Sequence, residues 1–303
     1  MKRPVLALTL LQSLAAAFPA QAQAPDDALP AFDGGSQDTG GSQGGGDASG
    51  GWFARSDAAK ESQPHWMTPA ITVTPRLEQE FRYDQLQQYK SGGAESSNYG
   101  LNKGLELITS SSTELIVGVP GYVVNTAPKG VSATGWADET FLLKYRMLSA
   151  NEENGNYVVT AFMGVSVPTG DPAMTSGHYA YTPTLAAGKG WGTRESGFDI
   201  QSTLSMTVPD RNMAALGEPI VWNTAFQGHF SRYWWPALET QLTHFASGPN
   251  NGRNQTVLAP EMILGRFDMI GRLHFVIGAD YQKTVGGFRT FNNAWQLTAR
   301  TPF

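Results

Sequence analysis

The side chains best equipped for chemistry in this chain recur at every second position within their segments. Glu78, Glu80 and Arg82 form one such run, Asp138, Lys144 and Arg146 another, and Arg272, His274 and Asp280 a third. Glu106, Glu114, Asp199, Glu239, Glu261 and Arg300 keep the same phase relative to their own neighbours. A spacing of two puts side chains on one face of an extended chain. Because both signs are present, that face supports two uses: the lining of a water-filled path, or a salt-bridge network that packs an interior shut. Catalysis demands more, namely a serine or threonine set against a histidine and an acid. His229 and His274 share the polar face with Thr203, Ser205 and Glu239, yet no spacing singles them out. No His-Glu-x-x-His, Gly-x-Ser-x-Gly, calcium-loop or Walker pattern occurs, and His65, His178 and His244 are scattered. No catalytic, cofactor-binding or metal-binding set is therefore expected, and the charged positions are read as candidate lumen lining.

Composition narrows the setting. The 303 residues contain no cysteine, which removes disulfides, thiolate metal sites and thiol nucleophiles. A net charge of -5 argues against nucleic acid as a partner, since tracking phosphates needs a basic excess. Mean hydropathy of -0.27 and the absence of long apolar runs beyond the N-terminus argue against membrane helices, and say nothing against a membrane barrel, whose strands alternate.

Lys2 and Arg3 precede an apolar stretch from Val5 to Phe18, followed by small-residue cleavage sites after Ala22 or Ala24. Residues 1–24 read as a secretory signal peptide. Nine of the nineteen residues from Asp33 to Gly51 are glycine, a composition that cannot bury apolar area against its chain entropy. Residues 25–69 are accordingly expected to be a disordered periplasmic segment. Its punctuation, Trp52-Phe53 and Pro64-His65-Trp66-Met67, fits either a docking element or the frayed approach to a first strand.

From residue 70 the period is two. Twelve alternating segments are predicted, near 70–83, 98–109, 113–124, 136–148, 156–167, 179–191, 197–208, 219–230, 234–245, 256–265, 270–281 and 290–303. The sixth contains Pro183 and Gly188-Lys189-Gly190-Trp191-Gly192, where a bulge or rim is expected. Soluble sheets alternate as well, so length decides: these segments exceed the ~5–6 residues usual in soluble strands and match a tilted membrane crossing. Connections at 84–97, 125–135, 168–178 and 246–255 read as long, and those at 110–112, 231–233 and 266–269 as tight. Aromatics such as Tyr83, Trp136, Trp191 and Trp295 gather near segment ends, and the last segment runs to Phe303. The expected fold is all-β: an antiparallel up-and-down transmembrane β-barrel of about 12 strands over 70–303, in the bacterial outer membrane.

Short motifs add a resemblance. Thr113-Glu114-Leu115 with Gly118-Val119-Pro120, Glu139 to Arg146, Gly164-Val165-Ser166-Val167-Pro168-Thr169-Gly170 and Gly188 to Gly192 resemble, in order, the outer-membrane family labelled MetA-pathway of phenol degradation, whose members are regarded as transporters. The resemblance covers the middle third of the chain, and the Ser-x-Pro-Thr-Gly turn is its most specific piece. It implies a barrel that admits aromatic or other hydrophobic compounds, and brings no catalytic residues with it.

The expected function is a passive outer-membrane channel for small hydrophobic or aromatic solutes. Its expected partners are the lipid bilayer, the solute, and the barrel-assembly machinery that reads a C-terminal strand ending in Phe303. A closed structural or docking barrel is the alternative, followed by an outer-membrane enzyme.

Overall fold

The computed structural model describes residues 51–303; the expected signal peptide at 1–24 and the segment from 25 to 50 lie outside the described residues. Sixteen strands form one antiparallel sheet, closed by pairing of β1 (Glu80–Tyr89) with β16 (Asn293–Pro302). They make a barrel of twelve staves, because several staves are broken in two. β2 (Glu95–Gly100) and β3 (Gly104–Ile108) share the second stave, β4 (Thr113–Gly118) and β5 (Tyr122–Thr126) the third, β6 (Ala133–Trp136) and β7 (Glu139–Ala150) the fourth. β8 (Tyr157–Val167), β9 (Ala180–Gly192) and β10 (Ser196–Met206) with its stub β11 (Val208–Pro209) follow. β12 (Pro219–Phe230), β13 (Trp234–Phe245), β14 (Asn254–Asp268) and β15 (His274–Val285) complete the ring.

Closure pairs each full-length stave on both sides, and alternation gives each stave a greasy and a polar side. The greasy side is outside: Leu143, Trp295 and Leu297 are at least half exposed, while Glu114, Lys144 and Asp199 are fully buried. Such an inverted distribution is stable against hydrocarbon, where apolar side chains face lipid and the ladders satisfy every strand's backbone. Tight connections at 109–112, 151–156, 193–195, 231–233 and 269–273 gather at one end, and the longer ones at 127–132, 168–179, 246–253 and 286–292 at the other.

Three expectations are corrected. The first strand begins at Glu80 rather than Ala70 and runs to Tyr89, so that only residues 90–94 join it to β2 and most of the long connection expected at 84–97 is strand. Residues 52–69 are ordered: Trp52–Glu61 form a helix, α1, and the chain from Gln63 to Gln79 is buried inside the barrel along most of its length. Ile71, Val73, Thr72 and Thr74 do alternate, but Pro69 and Pro75 have no N–H for a ladder and frame a segment that cannot be a central strand. Trp66, Met67 and Leu77 supply the buried apolar area that the glycine tract lacks. Finally, β9 is continuous. Pro183 sits opposite Met163, between the last β10 partner at Thr184 and the β11 partner at Tyr181, where no neighbour needs its N–H.

The Ser-x-Pro-Thr-Gly turn closes the wall beside β6. Asp171 N–H donates to Trp136 O at 2.9 Å, Trp136 N–H donates to Asp171 Oδ2 at 2.8 Å, and Thr169 Oγ1 accepts Glu139 N–H at 3.0 Å. A Cβ on Gly170 would stand 2.7 Å from Trp136 O, so only glycine fits this approach.

Helix α1 lies across the tight-turn end. Arg272 Nη2 meets Asp57 Oδ1 at 2.5 Å, Arg194 Nη2 meets Glu61 Oε2 at 2.6 Å, and Glu152 in the 151–156 turn accepts His65 N–H at 2.6 Å with the His65 ring Nδ1 at 3.0 Å. Burial raises the Glu152 carboxyl, but its hydrogen bonds with His65 outweigh that and hold it at about 2. Arg272 and Arg194 likewise hold Asp57 and Glu61 below the usual carboxylate range. A carboxyl depressed in the folded state contributes stability that is full above its unfolded value of 4.5 and is lost as pH falls toward about 2. Pepsin cleavage at Phe53 should therefore rise as pH is lowered from 4.5 to 2. Glu152→Gln should raise cleavage at the upper end of that range and flatten the acid limb; an unchanged profile would remove Glu152 from the docking of α1.

Candidate functional site: the occupied lumen

The polar staves enclose a plug. After α1 the chain enters the barrel, turns near Ile71–Thr74 and returns to β1. Gln63 ties the two limbs together, its Nε2 donating to Leu77 O at 2.7 Å and its Oε1 accepting Leu77 N–H at 2.9 Å. Trp66 is the largest fully buried side chain among the described residues and packs with Met67, Val158, Trp235, Ile263 and Val276. Its seat is made by missing atoms: a Cβ on Gly188 or on Gly190 would stand 2.5 Å from the indole.

No strand pairs with the plug, so its peptide groups need other partners at membrane depth. Wall side chains provide them, by sign. Glu239 accepts Ile71 N–H at 2.7 Å and Thr72 N–H at 2.6 Å through its two oxygens, Glu261 accepts Ala70 N–H at 2.9 Å, and Glu114 accepts Glu78 N–H at 2.5 Å. Arg300 donates to Thr68 O at 2.5 Å and Pro69 O at 3.1 Å, and Arg82 donates to Ala70 O at 2.7 Å. Gln296 donates to the same Ala70 O at 3.0 Å, Gln201 to Met67 O at 3.0 Å, Lys144 to Arg76 O at 3.2 Å and Arg266 to Trp66 O at 3.1 Å. Two ion pairs join wall charges to one another, Arg82 with Asp84 at 2.6 Å and Lys144 with Glu114 at 2.9 Å, while both Asp280 carboxyl oxygens and one each of Glu80, Asp199 and Glu261 have no hydrogen-bond partner. Hydrogen bonds to ionised groups are the strong ones, and a buried charge is tolerable only when so satisfied.

The positions read from the sequence as lumen lining divide accordingly. Glu80, Arg82, Glu106, Glu114, Lys144, Arg146, Asp199, Glu239, Glu261, Asp280 and Arg300 are all buried on wall strands. Glu80 lies opposite Glu106, and Glu261 opposite Asp280. Asp199 accepts from Gln201 at 2.9 Å, and Arg146 Nη1 donates to Ala59 O at 2.8 Å, under the helix. Four positions differ from expectation. Glu78 belongs to the plug, bound by Arg76 at 2.9 Å and Thr68 Oγ1 at 3.0 Å, because the chain is still inside the barrel there. Arg272 and His274 sit at the tight-turn rim, facing Asp57 and Asp268, because β15 begins only at His274. Asp138, between β6 and β7, accepts Gly170 N–H and Ser176 N–H at 3.0 Å and so holds the long 168–179 connection.

The sequence reading omits Gln63, Arg76, Gln201, Arg266 and Gln296, and leaves Trp66 open between a docking element and a frayed approach to the first strand. Gln201 and Gln296 were on the polar faces and passed over because they are neutral; for the others the available signals were the Trp66-Met67 pair and Pro75. His229, weighed as a base, has Nε2 2.8 Å from Thr193 O and stacks on Trp235.

No protein-family model matches the chain, and neither does any curated protein. Among solved structures it is similar to the COG4313 outer membrane channel from Pseudomonas putida F1, at 12% identity and a TM-score of 0.49, covering 77% of this chain and 96% of that one. The beta domain of the Bordetella autotransporter BrkA follows at 14% identity and 0.42, covering 75% and 98%. The Acinetobacter baumannii outer membrane protein Omp33 matches at 10% identity and 0.34, covering 75% and 99%.

The Trp66 seat yields a mutational test. Gly188→Ala and Gly190→Ala should each cost about 1–3 kcal/mol through overpacking, relieved by moving the plug rather than the wall. Trypsin should then cut faster at Lys60 and Arg76 while the barrel keeps its heat-modifiable gel mobility. Adding Trp66→Ala should abolish the extra effect of the alanines, and strictly additive losses would place the cause elsewhere.

Proposed function

We propose that the chain is a bacterial outer-membrane channel held shut in this conformation by residues 62–79, with α1 as the cover of its periplasmic mouth. The observation that carries the reading is how the plug is held. It is joined to the wall by side-chain hydrogen bonds, with no ladder, so it can leave the lumen without unpairing a single stave. In this reading residues 1–24 are removed on export, the tight turns face the periplasm and the long connections face outward. The strand ending at Phe303 is what the assembly machinery engages, and the wall charges, Glu239 and Arg300 among them, line the path once the plug is displaced. The solute is a small hydrophobic or aromatic compound, as the resemblance to the MetA-pathway family implies, and membership of that family is part of the same proposal. One observation favours a second reading, a closed structural barrel: a barrel of this width is too wide for wall side chains alone to fill, and here the plug fills it.

Planar-bilayer conductance and vesicle uptake of a small aromatic such as toluene separate the two. Glu239→Ala strips two plug N–H groups of their acceptor, each worth about 1–3 kcal/mol. With about 1.4 kcal/mol per factor of ten, the open fraction should rise at least about tenfold over a nearly silent native chain. A folded, heat-modifiable Glu239→Ala barrel that passes neither ions nor toluene would favour the closed structural barrel.

A further inference from the structure

At the tight-turn mouth, beside α1, lies a cavity of about 350 Å³, a size that suits a small organic ligand. Three parts of the chain build it. α1 contributes Lys60, the returning limb of the plug Arg76, and the wall Arg266 and Arg272, with Pro302 and Phe303 also in the lining. The acidic side chains of the lining are already engaged. Asp57 meets Arg272 at 2.5 Å and Lys60 at 3.5 Å, Glu61 meets Arg194 at 2.6 Å, and Glu78 is bound by Arg76 at 2.9 Å and by Thr68. Lys60 also reaches Phe303 O at 3.2 Å, and His65 and His274 lean on Glu152 and Asp268.

Arg266 is different. Among the described residues it makes no ion pair, and its Nη1 and Nη2 donate only to peptide carbonyls, His65 O at 3.4 Å and Trp66 O at 3.1 Å. Arg76, 2% exposed, donates Nη1 to the same Trp66 O, and its Nε has no hydrogen-bond partner in the protein. Two guanidinium groups thus converge on one carbonyl, and Glu78 is the carboxylate that pairs with one of them. The wall is built to bring Arg266 here. Along β14 the odd-numbered positions from Gln255 to Gly265 are buried, so parity would turn Arg266 outward. The register of β14 on β15 shifts between Gly265 and Phe267, and this bulge re-aims the side chain toward the two plug carbonyls.

A guanidinium offers a fork of N–H donors that the two oxygens of a carboxylate match. Such a head group would give Arg76 Nε an acceptor and Arg266 a counter-charge. A bare ion would leave most of the space empty, since about 350 Å³ holds about a dozen waters. An apolar body on the ligand fills it against Pro302 and Phe303.

We propose that this cavity binds a small organic carboxylate with an apolar body, its head group at Arg76 and Arg266, and that the bound ligand latches the plug. The latch follows from the construction. Cover, plug and wall must all be in place to form the site, so whatever binds there favours the closed conformation. This rests on the channel reading for the plug's ability to leave, and adds to it a ligand, distinct from the solute, that opposes opening.

NMR on the folded full-length chain with labelled arginine side chains reads the site directly. Benzoate should shift the Nε–H resonances of Arg76 and Arg266. Toluene, which has no charge, and acetate and phosphate, which have no apolar body, should each bind at least about tenfold more weakly, equivalent to about 1.4 kcal/mol. Arg266→Gln, which keeps a donor for Trp66 O, should weaken benzoate at least about tenfold, and Arg266→Lys, which keeps the charge and loses the fork, should weaken it less. Hydrogen exchange at Ile71 and Thr72, whose N–H groups Glu239 holds, reads the latch. With benzoate at about ten times its dissociation constant, that exchange should slow about tenfold. Unshifted resonances at Arg76 and Arg266, phosphate or toluene binding as tightly as benzoate, full affinity in a folded Arg266→Gln chain, or exchange at Ile71 that benzoate leaves unchanged would each overturn the inference. The resonances and the exchange are read on the native chain and decide the matter even where a variant fails to fold. A barrel that never conducts yet binds benzoate and protects Ile71 keeps the site and loses the channel; one that conducts and ignores benzoate loses the site alone.

Discussion

Every peptide N–H and C=O at membrane depth has to find a partner inside the protein, and this barrel meets that demand in two ways. The staves do it with ladders, whose cost and reward are nearly independent of side chain. Residues 62–79 do it with side chains, and there identity is decisive: carboxylates stand opposite N–H groups and guanidinium, ammonium or carboxamide groups opposite carbonyls. Two of the three plug prolines, Pro69 and Pro75, fit the same pattern. Neither has an N–H to satisfy, and their carbonyls are taken by Arg300 and by the Thr160 hydroxyl.

The charged rows thus have a specific job in this conformation. Burying Glu239, Glu261, Arg82 and Arg300 together would be prohibitive in an empty, dry lumen; here plug peptide groups meet Glu239, Arg82 and Arg300, and one oxygen of Glu261. A twelve-stave ring is also too wide for its own side chains to fill, so an insert is what allows the lower half of the interior to be solid. Above the plug tip the need disappears and the inward strand positions are uncharged, with Val257 and Ala294 packed against Phe291 of the 286–292 connection. Charge along the lumen therefore follows where the insert's backbone must be bound.

Much of this architecture was legible beforehand. Alternation marks both faces of all but the first stave, because side-chain direction in a strand is a local property of period two. The connection lengths separate the two ends for the same reason. What escaped was the stretch before β1. Ile71 to Thr74 alternate as a strand does, and only Pro75, with no N–H to give, argues otherwise. Glu78 shares the parity of Glu80 and Arg82, yet it lies on the insert, since parity carries no information about where pairing begins. Arg272 and His274 fall outside for the converse reason, with β15 starting later than the pattern suggested.

By itself the sequence determined a closed antiparallel barrel, which residues face out, and which face in, since those follow from local geometry and from the medium each face can tolerate. The tertiary structure alone decided what the inward charges bind. Glu239 and Ile71 are far apart along the chain, as are Arg300 and Thr68, and only closure of the ring around the returning N-terminal segment brings them within a hydrogen bond. Partners of that kind are set by long-range register and by the volume left inside the cylinder, quantities that no spacing along a single strand encodes.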